Sequence, residues 1–308
     1  MKQSRATQHN DPESFRSVVL HIMETQTLVR QGKRSIIIAV ESVYSMDGDV
    51  CPLEKLLEIA EDISEIQGNI QFVVDEAHSV GVIGAKGAGL VCHLGLEKKI
   101  AVVVHSFGKT MGATGAIILG NEIIRTVLAN YVKSIIFTTS PSLPFVAAIR
   151  AGYFLLATGI VQEVNRIQSH AKLFFEILTS HSFWPTAKEK GLLCVPLSDE
   201  WKSQAFFTHI ITVSTRQKCT LWLYVHLLAA SFCVFPVESP IVPVGKGRLR
   251  IILHADNTDE DIIGLIEALF EWAEEMIAIE EGEPGERESS VAKEVNDWMR
   301  RENLRGML

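Results

Sequence analysis

Short apolar runs alternate along the first half of the chain with segments whose apolar positions recur at helical spacing. SIIIAVES (35–42) predicts a strand, and the turn residues Met46-Asp47-Gly48-Asp49 follow it. Pro52 then opens a predicted helix, PLEKLLEIAEDISEIQ, with Leu53, Leu56, Leu57, Ala60 and Ile63 on one face. QFVVDEAH (71–78) reads as the next strand, polar only at its carboxyl end, and IAVVVHSF (100–107) and GAIILG (115–120) repeat the signal. Strands apolar on both faces with helices between them indicate a largely parallel α/β sheet. Ligands of such sheets bind beyond the carboxyl ends of the strands. Asp75, His78, Ser106 and Lys109 all fall there.

The pattern changes after Pro144. A long helical stretch (145–180) leads into short mixed strands, then GRLRIILH (247–254) and a closing helix, DEDIIGLIEALFEWAEEMIAI. The division this predicts is a large domain over 1–145, a smaller α+β domain over 146–279 and an acidic, polar tail over 280–308. Within the tail, VAKEVNDWMRRENL has the pattern of a short helix. The apolar run CTLWLYVHLLAASFCVF (219–235) comes close to the ~18 residues of a membrane span. His226 in its middle and Pro236 at its end favour a buried helix running into a strand, with a lipid-facing surface as the other reading.

Composition narrows the function classes. A chain of 308 residues, 47% hydrophobic and 21% charged, can bury a large core. The formal charge is 29 minus 37, or −8, with no basic block to track a phosphate backbone, which argues against nucleic acid as a partner. Cys51, Cys92, Cys194, Cys219 and Cys233 are scattered and form no CxxC pair. They suit neither a metal site nor a disulfide framework, and they point to a reducing compartment. MKQSRATQHNDPESF, the first stretch, is polar without the apolar core of a secretion signal. The expected location is cytoplasmic, with peroxisomal or membrane-associated placement as alternatives.

VVDEAHSVGVIGAKGAG (73–89) ends a strand with a carboxylate, then a histidine, then a glycine-rich loop. DEAH at 75–78 and GKT at 108–110 invite comparison with an ATPase. A P-loop, however, needs glycine five residues before Gly108, where Val103 stands, and its lysine normally precedes the acidic motif. Pyridoxal phosphate (PLP) chemistry accommodates both pieces. It needs a lysine amine for the cofactor aldehyde and a carboxylate that keeps the pyridine nitrogen protonated. Lys109 and Asp75 could supply these from neighbouring loops, with Gly108, Gly112 and Gly115 leaving room for a flat ring and Ser106 for a phosphate oxygen. Taken singly, a loop lysine is usually a solvated charge and a strand-end Asp often a helix cap.

ESVYSMDGD (41–49), VDEAHSVGVIGAKGAG (74–89), HSFGKTMGATGAIILG (105–120), IIFTTSPSLP (135–144) and SPIVPVGKGRLRI (239–251) together resemble the α-oxoamine synthase family of PLP-dependent acyltransferases. That family lies within the class II aminotransferase-like proteins, and the likeness is greatest to its 8-amino-7-oxononanoate synthase members. It implies a fold-type I PLP-dependent transferase with a mostly parallel large domain and a smaller C-terminal α+β domain. By this resemblance Lys109 carries the cofactor, Asp75 pairs with the pyridine nitrogen and His78 hydrogen-bonds the ring oxygen. Ser45 lies near the cofactor, Ser106 contacts the phosphate, and Thr139 reaches the phosphate from a partner subunit of a homodimer. Arg250 binds the amino-acid carboxylate, a task suited to guanidinium geometry.

The implied reaction condenses a small amino acid with an acyl-CoA thioester, with decarboxylation, and biotin biosynthesis is the pathway implied. A PLP-dependent aminotransferase, or an inactive chain serving as a binding or regulatory subunit, are the alternatives. Family members carry a long further stretch before the segment that His9-Asn10-Asp11 resembles. The large domain is accordingly expected to be incomplete at its N-terminal side, lacking a glycine loop and a stacking histidine. Ile241 stands where the family often has threonine, and the apolar run 221–235 where it usually has a more amphipathic helix, which favours a long-chain acyl donor.

Overall fold

The computed structural model describes residues 4–64, 69–159, 163–217, 219–282 and 289–301. The chain divides into two compact units. One comprises Met1–Ser45 and Asp49–Val164, the other Met46–Gly48 and Asn165–Leu308.

The first unit opens with α1 (Pro12–Thr25), whose start is set by Asp11: its carboxylate accepts the N–H groups of Glu13 at 2.9 Å and Ser14 at 3.0 Å. The short α2 (Thr27–Arg30) leads to β1 (Ile36–Glu41), α3 (Leu53–Ile63) and β2 (Ile70–Asp75). Next come α4 (Leu90–His93), β3 (Val102–Ser106) and β4 (Ala116–Gly120). The strands form one sheet in the order β1-β2-β3-β4, parallel through β3, with β4 antiparallel. α1 and α3 bury Phe15, Val19, Leu53, Leu57 and Ile59 against Phe72 and Val74 of β2. The expected burial on both faces is met on one only, since Ile37 of β1 is 70% exposed. Beyond β4, α5 (Glu122–Tyr131), α6 (Lys133–Ile136) and α7 (Leu143–Thr158) complete the unit. None of these three helices has a buried residue.

The boundary was expected at 145/146, ahead of most of α7. Its Ile149, Tyr153 and Leu156 pack on Val80, Phe107 and Met111, so the helix belongs to the first unit and the division falls at Val164–Asn165. α8 (Glu163–Ser180) then carries the chain into the second unit, where Phe174, Phe175 and Leu178 are buried. α9 (Trp184–Glu189), β5 (Ile210–Val213), α10 (Thr220–Ala229), β6 (Phe235–Val237), β7 (Arg248–Ile252) and α11 (Asp259–Glu281) follow. The strands form an antiparallel sheet in the order β5-β7-β6. Trp272, Phe270 and Leu269 of α11 meet Val213, Leu249 and Leu223 in one core. A capping box starts α11: Thr258 accepts from the Asp261 N–H, and Asp261 accepts from the Thr258 N–H.

Run 219–235 becomes α10 and β6, as the preferred reading had it, yet α10 is buried on one side only. Leu223 and Leu227 face the core, while Leu221 and Trp222 are exposed. Among the described residues no single helix is long and apolar enough to cross a membrane. Part of the segment expected as a tail is helical, in α12 (Ser290–Arg301).

Candidate active site

Three parallel strands deliver polar residues to one edge of the sheet. Glu41, Asp75 and Val104 stand level in register across β1, β2 and β3. Ser45 follows in the turn after β1, Asp75 closes β2 and Ser106 closes β3. The carboxyl edge of the sheet therefore presents a carboxylate between two hydroxyls. Asp75 is exposed, and its Oδ1 accepts the Ala77 N–H at 2.9 Å, which orients the carboxylate without burying it.

After Asp75 the chain turns back on itself, with the Ser79 and Val80 amides donating to the Glu76 carbonyl at 3.1 and 3.2 Å. This turn directs His78, only 6% exposed, toward the end of β3. Lys109 sits on a second turn, held by Phe107 N–H to Gly115 O at 2.9 Å and Ala113 N–H to Phe107 O at 2.8 Å. Thr110 Oγ1 donates to Val80 O at 2.8 Å and ties the two turns together. Lys109 Nζ then lies 2.7 Å from His78 Nε2. That contact is the central geometric fact of the site.

The glycine-rich loop earns its composition at Gly89. Its backbone has φ +98°, and a Cβ there would lie 2.4 Å from Glu76 Oε2. Beside Lys109 there is open space instead: a Cβ on Gly112 would meet nothing within 4 Å, and one on Gly108 nothing nearer than 3.8 Å. A primary amine, an imidazole, a carboxylate and a hydroxyl thus face room for a flat group. The residues present fit PLP.

Two further expected residues belong to other elements. Thr139 is exposed in a groove of about 820 Å3 lined by β4, α5 and the segment after α6. Arg250, in the second unit, sits at the middle of β7 opposite Thr212 and Phe235. Among the described residues its Nε is buried without a hydrogen-bond partner, and burial lowers its pKa from the usual guanidinium value. A planar anion is what such a group is prepared to receive. Glu76, His105 and Tyr153 were not expected from the sequence; His105 is hydrogen-bonded to both of the others. Glu76 was visible as the neighbour of Asp75, but nothing in the sequence linked it to a tyrosine on α7.

A sheet parallel except at β4, with this donor set at its carboxyl edge, defines a fold-type I PLP transferase architecture. Residues 7–269 match the aminotransferase class I and II family, and the chain belongs to it. That family is PLP-dependent. The chain is 45% identical over 290 residues to aminoacyl transferase sphA of Byssochlamys spectabilis, covering 94% of this chain and 62% of that protein. It is 35% identical to the 8-amino-7-oxononanoate synthase of Emericella nidulans, covering 87% and 62%. The chain thus spans 62% of the length of these two curated relatives. Among solved structures, the serine palmitoyltransferase of Sphingomonas wittichii shares the fold with a TM-score of 0.66 at 22% identity, covering 87% of this chain and 61% of that one.

Proposed function

We propose that this chain carries the lysine-bearing half of the active site of a PLP-dependent acyltransferase, joining a small amino acid to an acyl-CoA thioester. The observation that carries the reading is the 2.7 Å contact between Lys109 Nζ and His78 Nε2, beside Asp75 at the carboxyl edge of the sheet. PLP, when bound, supplies an electron-poor ring that stabilises negative charge on the amino-acid α-carbon. Lys109 would hold the cofactor's aldehyde through its side-chain amine. Asp75 supplies the negative charge that keeps a proton on the pyridine nitrogen. His78 shares a hydrogen bond with Lys109 and can hold or return a proton at Nε2. Arg250, with its unsatisfied buried Nε, is the group for the amino-acid carboxylate.

In the overall reaction a bond forms between the α-carbon and the acyl carbonyl. The thioester C–S bond breaks to release CoA, and the bond to the carboxylate breaks to release CO2. The transferase and synthase names of the relatives support acyl transfer over transamination. The exposed groove around Thr139 is the surface for a second subunit of the same kind. The match to sphA proteins at higher identity than to 8-amino-7-oxononanoate synthases favours a product other than the biotin precursor.

Addition of PLP to the purified chain tests the reading. The wild type is expected to develop the visible absorbance of lysine-bound PLP, and borohydride reduction followed by peptide mapping should place the label on Lys109. Equal spectra from the wild type and Lys109→Ala would overturn it. Release of free CoA from acyl-CoA with alanine, glycine or serine separates acyl transfer from transamination.

A further inference from the structure

A buried polar chain that the proposed chemistry does not use joins the turn after β2, β3 and α7. Glu76 is 0% exposed, and its carboxylate accepts the Val91 N–H at 2.9 Å and the Ser79 hydroxyl at 3.1 Å. Its other oxygen lies 3.2 Å from His105 Nε2. His105 is itself 8% exposed, and its Nδ1 lies 3.0 Å from the Tyr153 hydroxyl on α7. Burial, and then the charge of Glu76, raise the Tyr153 pKa, and the phenol is hydrogen-bonded to Nδ1. With Nε2 on Glu76, the His105 ring bridges the phenol and the carboxylate. Every buried polar atom of the chain Tyr153–His105–Glu76 is in this way satisfied.

Its ends are what matter. Glu76 belongs to the turn that carries His78, and His105 to the strand that leads into Lys109. Tyr153 meets Phe107 edge-on at 6.2 Å, and a Cβ on its neighbour Gly152 would come 2.8 Å from Met111 Sδ. α7 is therefore seated against both flanks of the lysine turn, and the hydrogen-bonded chain ties that seat to the His78 turn. We infer that Tyr153, His105 and Glu76 are positioning residues: together they set the separation of Lys109 Nζ from His78 Nε2 by locking α7, β3 and the turn after β2 to one another. The inference rests on the PLP reading of Lys109 given above.

Three variants test it. His105→Leu removes both hydrogen bonds at nearly constant volume. Tyr153→Phe removes the outer one. In His105→Gln the amide can donate to Glu76 and the carbonyl accept from Tyr153. The readouts are the PLP dissociation constant, from titration of the visible band, and the pH midpoint of that band, each set beside the Tm. His105→Leu is expected to weaken PLP binding about tenfold, the worth of a hydrogen bond to a charged group, and to move the midpoint. Tyr153→Phe should act in the same direction but less, and His105→Gln should restore both readouts. If His105→Leu and Tyr153→Phe lower only the Tm, with affinity and midpoint unchanged, the chain is merely structural and the inference is wrong. Should His105→Leu fail to fold, Tyr153→Phe decides alone by the same criterion. A wild type without any visible band overturns the PLP reading and this inference together, whereas a normal band that no variant moves overturns this inference only.

Discussion

Two stretches of the first unit, one running from β2 to the lysine turn and the other from β4 to α7, are both rich in apolar residues and opposite in burial. In the first, Phe72 is 2% exposed, Val74 and Glu76 are 0% exposed, and the loop after β2 folds onto itself so tightly that a Cβ at Gly89 would strike a carboxylate. In the second, every residue of β4 is exposed, and Phe137 and Leu143 are exposed to 81% and 83%. Apolar character decides what a residue gains when covered, and only a facing surface decides whether it is covered. α1 and α3 give β2 that surface on one face. Among the described residues nothing buries β4. The difference separates the parts of the candidate site as well. Asp75, His78 and Lys109 are held by the packed stretch, whereas Thr139 lies on the open one.

The sharpest way to break this contrast is truncation in the packed stretch. Phe72→Ala should cost about 3–5 kcal/mol in denaturant unfolding, because the cavity sits among α1 and α3 and cannot collapse. Gly89→Ala should cost about 1–3 kcal/mol from its backbone conformation alone, and more from the approach to Glu76, read as a fall in denaturation midpoint. A gentler probe is alkali. Cys51, buried beside Tyr44, has its pKa pushed up from 9.0 to about 12, chiefly by desolvation, and burial also raises the Tyr44 pKa. A thiol whose folded pKa is raised contributes stability that is whole below its ordinary value and lost as pH climbs toward the folded one. The unfolding free energy should accordingly decline between pH 9 and about 12, and Cys51→Ala should flatten that decline. Smallest of all, Ile118→Ala on exposed β4 should change stability by less than about 0.5 kcal/mol. A cost comparable to that of Phe72→Ala would mean that β4 is covered in solution.

Much of the site was legible because its chemistry lies at strand ends. The strands expected over 35–42, 71–78, 100–107 and 115–120 form as Ile36–Glu41, Ile70–Asp75, Val102–Ser106 and Ala116–Gly120. Each is shorter than its apolar run where a polar residue or glycine turns the chain. The direction of β4 was not legible, since an apolar run reads alike both ways and only the short connection after Lys109 makes it antiparallel. Nor was the membership of α7 in the first unit, which rests on Tyr153 meeting His105 and Phe107, residues distant in sequence.

By itself the sequence determined the alternation of strands and helices, the carboxylate at the end of β2 and the lysine after β3, because side-chain periodicity and turn chemistry are local. Only the tertiary structure decided that Lys109 Nζ and His78 Nε2 stand 2.7 Å apart and that Glu76 is a buried anchor. Distances between turns depend on how two strands pair and on what packs beneath them. Those are properties of contacts across the fold.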